Sequence, residues 1–242
     1  MRKIDGFFVG LRDFLNAMKM CFDKNQLGAW YKKAVIKSII LSVCVLTVLI
    51  IASSFGIFSL ISGLIAHDTM SMVASWLGSI IVVLLMLWFS GAIASALLSV
   101  FVGFVVNEKE LFEGVRGKVV YNGKLQKARF KDLRKEYFAI GVSLLISILT
   151  YPFILFAVTI PIAIIFMGWA MGREGLGFGH RLINQGIEGN EDSYEFSHAY
   201  KAGLGLIPAA VLMIPILGWA FLPMLQVSGS YAISKRVLDS KN

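Results

Sequence analysis

The stretch IPAAVLMIPILGWAFLP, residues 207–223, holds three of the chain's five prolines and no charged residue. Proline supplies no backbone N–H and collides with the preceding helical turn, so each one interrupts a helix. Inside a bilayer, water cannot replace the lost hydrogen bond. One chemistry on offer is that of backbone dipoles, because amides at broken helix ends attract anions. On the other reading the prolines only make turns. Other chemistry is poorly supplied. His67, His180 and His198 are scattered, and no HExxH, GxSxG or P-loop pattern occurs. Cys21 and Cys44 stand apart without CxxC spacing and read as small apolar residues, not as metal ligands or a disulfide. No Asp, Glu, Lys, Arg or His lies deep in an apolar segment, which disfavours a carboxylate proton relay. No enzyme activity, cofactor or metal is expected.

The elements that position these prolines are membrane segments. The chain is 57% hydrophobic and only 16% charged, with a mean hydropathy of +0.75, whereas soluble domains carry about 25% charged residues. Residues 38–66 and 69–107 contain no charge, and neither do 137–172 and 202–234. Each exceeds the roughly 20 apolar residues that cross a bilayer. The pattern predicts an all-α, polytopic integral membrane protein forming a single membrane domain over 1–242. Two long transmembrane helices fall within 34–106, running to about 66 and from about 70. A stripe at Gly91, Ser95, Ser99 and Gly103 lets another helix approach closely.

Ahead of these spans, Ile4, Phe7, Phe8, Leu11, Phe14, Leu15, Met18, Cys21 and Phe22 recur at helical spacing, with Asp5, Arg12, Asp13, Lys19 and Asp23 on other faces. Residues 1–33 therefore form an amphipathic helix and a basic linker. The helix lies either in the membrane interface or against the protein's own cytoplasmic side. Residues 1–24 lack the apolar core and A-x-A exit of a cleaved signal peptide.

Charge sets the orientation. Residues 1–37 carry eight Lys/Arg against three acids, 108–136 nine against five, and 235–242 three against one. By the positive-inside rule the N-terminus, the basic loop 107–136 and the C-terminal tail 235–242 are cytoplasmic. Topology accounts for the net charge of +8, and no nucleic-acid partner is expected. Residues 137–172, with Pro152 and Pro161, and 202–234, with Pro208, Pro215 and Pro223, form two proline-broken segments. They are either hemi-penetrating hairpins or kinked full spans. In 202–234, Pro215-Ile-Leu-Gly218 is the expected turn, between arms 202–214 and 219–233. The glycine-rich stretch 173–201 between the two segments reads as a polar loop.

Particular residues resemble a family. AGLGL at 202–206, followed by IPILGWAFLPMLQVSGSYAISKRV, is similar to the C-terminal signature of CysZ-type sulfate permeases, which share an etoposide-induced-protein-like membrane domain. FKDLRKEYF at 130–138 resembles the family's basic entry to its third apolar segment. The resemblance implies a bacterial inner-membrane protein that moves sulfate or a related small oxyanion, built from two long helices and two hemi-penetrating hairpins, in homo-oligomers.

It also implies a site. The family pairs two adjacent arginines before the first long helix with a Gly-Leu-Leu-Ala-Glu motif after the second. Lys32 and Lys33 match the arginines in charge but not in type. Gly103-Phe-Val-Val-Asn107, followed by Glu108, matches the motif in its glycine. In an antiparallel pair of spans these ends meet at the cytoplasmic face. Lysine charge and amides near Gly103, where no side chain blocks approach, then hold a divalent oxyanion. The expected anion-binding residues are Lys32, Lys33, Gly103, Asn107 and Glu108. Lysine is a point charge without the arginine fork, so binding is expected to be weaker and less selective. Two other readings stand beside this one. The lysines act as topology anchors alone, or the chain is a non-transporting membrane scaffold or assembly protein of the same fold.

Overall fold

The structure is a computed structural model that describes residues 2–4, 6–64, 68–88, 105, 107–116, 145, 160–186, 194–212, 214 and 217–239. In chain order its elements are β1 (Arg2–Ile4), α1 (Phe7–Phe22), α2 (Gly28–Leu64), α3 (Asp68–Trp88), α4 (Glu108–Arg116), α5 (Ile160–Gly186), β2 (Tyr194–Phe196), α6 (His198–Leu212) and α7 (Leu217–Asp239). The described residues are almost wholly helical. The exception is a short parallel ladder in which Arg2, Lys3 and Ile4 pair with Tyr194, Glu195 and Phe196. Ile4, expected in the first helix, thus lies in a strand, and α1 begins after Gly6 at a φ of 112° that a β-carbon disfavours.

Helix α2 begins earlier than the charge pattern implied. The Gly28 and Tyr31 amides bond to the Asp23 and Leu27 carbonyls, and Trp30 and Tyr31 are buried. Lys32 and Lys33 therefore sit inside the helix, not before it. Among its described side chains one stripe is buried, through Tyr31, Ala34, Ser38, Ser42 and Leu46. The most apolar stretch within its segment Gly28–Gly56 has a mean hydropathy of 2.7 and is only 22% buried. A helix so apolar and so open is suited to hydrocarbon surroundings. Helix α3 follows after three residues and packs along α2, so the two form an antiparallel hairpin. The small-residue stripe 91–103 and Pro152 lie outside the described residues.

The stretch expected to be a polar loop is largely helix. Helix α5 runs unbroken from Ile160 to Gly186. Pro161 is tolerated as its second residue, where no helical partner is lost. Gly168, Gly172, Gly175 and Gly179 recur every three or four residues and form one face, pressed onto α6 and α7. A β-carbon at Gly172 would overlap the Lys201 carbonyl, and one at Gly229 would overlap the Gly175 carbonyl. These glycines let the helices meet at the backbone. The tail is likewise not free, because 235–239 continue α7.

Helices α6 and α7 pack together as a hairpin, with Gly218 N–H bonding to the Ile214 carbonyl at the turn. Helix α1 crosses their far end, its Gly10 backbone against Tyr200 and its Phe7 backbone against Gly203. Phe14, Ala17 and Cys21 are buried in that contact, whereas Phe8 is 79% and Phe22 63% exposed.

Candidate anion site

The two chain segments expected to meet do meet. Trp30 Nε1, in the first turn of α2, donates to the Asn107 carbonyl at 3.2 Å across 77 residues of sequence. Asn107 is also the N-cap of α4: its Oδ1 accepts the Glu110 amide at 3.4 Å, and its carbonyl accepts the Leu111 amide at 3.0 Å. Lys32 and Lys33 lie two and three residues after Trp30, and both are exposed. Gly103 lies outside the described residues. Glu108 opens α4 and forms an ion pair with Arg181 of α5 at 3.4 Å, with side-chain exposures of 21% and 17%. Arg181 also stands over the Phe178 ring, 5.3 Å from its centre. Three cations, Lys32, Lys33 and Arg181, are therefore carried on elements that converge at Asn107–Glu108.

Sequence reasoning missed Arg181 because it lies in the stretch assigned to a loop. The helical signal was present: Met171, Gly175, Phe178 and Leu182 follow a three-to-four-residue period, and all are buried.

The α2 end of the site is fixed to α7 at a proline. The Trp219 carbonyl would receive, in a regular helix, the N–H of residue 223, and Pro223 has none. Ser38 Oγ donates to that carbonyl at 3.0 Å, and Tyr31 Oη donates to the Ala220 carbonyl at 2.8 Å. What enters this break is thus a serine of α2. Pro223 frees an acceptor, not an anion-attracting amide. Two other buried hydroxyls bond to carbonyls of their own helix, Ser228 Oγ to Leu225 and Ser230 Oγ to Gln226.

A second charged cluster was invisible from sequence. Asp13, expected on an outward face of α1, is fully buried. It accepts from Tyr200 Oη at 2.8 Å, Lys235 Nζ at 3.1 Å and an Arg236 guanidinium nitrogen at 2.6 Å. Burial alone would raise its carboxyl, but the Tyr200 hydroxyl and the Arg236 and Lys235 charges outweigh this and hold it below its ordinary 3.8. This cluster latches α1 to α6 and α7. By contrast, burial raises the Cys21 thiol to about 12, which leaves it a packing residue. Among the described residues no group of His, Cys, Asp and Glu could hold a metal ion.

No curated protein and no solved structure matches the chain. The profile of the family described as Sulfate transporter CysZ/Etoposide-induced protein 2.4 matches residues 13–223. That match runs from the buried Asp13 of the latch to the Pro223 that Ser38 completes, and so takes in both lysines, Asn107, Glu108 and Arg181. The chain therefore belongs to the CysZ/etoposide-induced protein family of membrane proteins.

Proposed function

We propose that the chain is a permease for sulfate or a related small oxyanion in a bacterial inner membrane. Membership of a sulfate transporter family carries this reading. The convergence of α2 and α4 through Trp30 and Asn107 supports its location. Lys32 and Lys33 attract the anion, and the backbone at Gly103 and Asn107 receives it. Glu108 would repel an anion by itself; its pairing with Arg181 neutralises it and brings a guanidinium to the same place. The arginine fork suits a tetrahedral oxyanion better than lysine alone.

The proposed topology follows from lengths. At ~1.5 Å per residue, the 37-residue α2 reaches well past a ~30 Å hydrocarbon core. The 15-residue α6 reaches only about 22 Å. The α6–α7 hairpin thus enters from the cytoplasmic side and turns within the bilayer. Both termini and the loop 107–136 are cytoplasmic, and copies of the chain assemble as a homo-oligomer around the lipid-facing helices.

Flux of radiolabelled sulfate into proteoliposomes tests the function. The wild type is expected to carry saturable flux, and Lys32→Gln/Lys33→Gln to weaken it at low salt while leaving membrane insertion unchanged. Absence of flux in the wild type would favour the scaffold reading. Unaltered flux in the double variant would leave the lysines as topology anchors.

A further inference from the structure

Four side chains outside the Asn107–Glu108 region meet where α5 crosses α6. Trp169 and Arg173 are one turn apart on α5, and His198 and Lys201 are three residues apart on α6, so each pair shares a side of its helix. The backbones touch at Gly172 and Lys201, which sets the two pairs against each other. Trp169 Nε1 donates to His198 Nδ1 at 2.8 Å, with the rings stacked 5.7 Å apart. The Arg173 guanidinium carbon lies 5.9 Å from the same indole ring. With Nδ1 accepting, the neutral imidazole carries its hydrogen on Nε2, as a second donor.

Charge in this corner is unbalanced. Arg173 and Lys201 are both half-buried, and among the described residues neither forms an ion pair. Burial and then the Arg173 charge disfavour the Lys201 ammonium, with exposed Glu195 opposing them. Glu174, beside Arg173 in sequence, makes an interaction of its own. Two half-buried cations that repel each other would both be stabilised by an anion beside them.

The position is informative as well. Ile162, Ile165 and Phe166, 57%, 48% and 54% exposed, lie on the same stripe of α5 as Trp169 and Arg173. Along that stripe, open apolar residues give way to tryptophan and then to arginine. This is the order met on passing from hydrocarbon through the headgroup layer to water.

We propose that Arg173, Lys201 and the His198 Nε2–H bind a phosphate-type oxyanion at the membrane boundary, with Trp169 as the platform that positions the arginine and the histidine. The oxyanion is either free or carried on an anionic lipid headgroup. Arg173 supplies a fork for two of its oxygens and Lys201 a point charge. The assignment is independent of the permease reading and of Lys32 and Lys33.

The full chain, purified in a neutral detergent at low salt, decides the matter. Equilibrium dialysis reads binding of radiolabelled inorganic phosphate, and native mass spectrometry reads retention of phosphatidylglycerol against phosphatidylcholine. Saturable phosphate binding identifies a free-ion site. Selective phosphatidylglycerol retention without phosphate binding identifies a headgroup site. In either case Arg173→Gln/Lys201→Gln is expected to weaken binding by about tenfold or more, and Lys24→Gln, at an exposed lysine assigned to no site, to leave it unchanged. Lys201→Gln alone guards against misfolding, because it relieves the like-charge contact: thermal stability should rise while affinity falls about fivefold. A wild type that binds neither probe overturns the proposal. So does unchanged affinity in Lys201→Gln, or an equal loss in Lys24→Gln.

Discussion

The outer helices and the base of this molecule are built with opposite insides. Around α2 and α3 the large apolar side chains face out: Phe55 is 73% exposed, Trp76 63% and Ile51 51%, while Ser38, Ser42 and Ser75 are buried. In the base, where α1 crosses α6 and α7, Phe14, Tyr200 and Leu204 are fully buried and surround an ionised carboxylate, Asp13. On the proposed topology the difference follows from the two solvents. Hydrocarbon gives no reason to hide a leucine or isoleucine, so helices there are joined through small residues and hydroxyl–carbonyl bonds. Water drives the apolar residues of the base inward, and a charge can stay among them only with its partners in place.

That contrast can be broken at the joint between the regions. Gly229→Leu forces a side chain into the Gly175 carbonyl and should cost about 3 kcal/mol or more, seen as loss of a monodisperse peak in size-exclusion chromatography. Gly56→Ala, on the open face of α2 with nothing within 4 Å, should be silent in the same assay. Next in size is Asp13→Asn, which takes the buried carboxylate away from the part-buried Arg236 and Lys235 and should cost about 3 kcal/mol in detergent thermal unfolding.

Acid tests the same latch without mutation. Because the folded Asp13 carboxyl lies below its ordinary 3.8, its contribution is complete above about pH 4. It is lost as pH falls through the folded value. Limited proteolysis should therefore release α1 only in strong acid, and release near neutral pH would contradict the assignment. Ser38→Ala removes the donor to the Trp219 carbonyl and should cost about 1–2 kcal/mol, leaving α1 protected from protease. A small effect is expected from Phe8→Ser/Phe22→Ser, within about 0.5 kcal/mol of wild type in detergent. A larger loss would mean that a second copy of the chain covers this face.

The outer region was the more legible from sequence, and its physics explains why. Long charge-free runs and proline spacing are local signals, and they located α2, α3 and the turn before Gly218. The base depends on contacts far apart in the chain. The partners of Asp13 are 187, 222 and 223 residues away, so an acid on an amphipathic helix looked like an ordinary solvated residue. The glycines of α5 misled for a related reason. Glycine lowers local helix propensity, and only the neighbouring backbones that a β-carbon would strike reveal why Gly172, Gly175 and Gly179 are helical. With the second half of α5, 173–186, read as a loop, Arg181 and its pairing with Glu108 could not be placed.

The central claim, that the α6–α7 hairpin leaves the aqueous base and turns back within the bilayer, is tested most directly by thiol accessibility. Single cysteines, Ala199→Cys at the exposed start of α6 and Ile214→Cys at the exposed apolar turn, are introduced into a chain lacking Cys21 and Cys44. A membrane-impermeant maleimide is then applied to intact cells and to inside-out vesicles. The expected result is labelling at 199 only in the inverted vesicles, with 214 refractory from both sides. Labelling at 214 from the outside of intact cells would make the segment a pair of full spans and contradict the account.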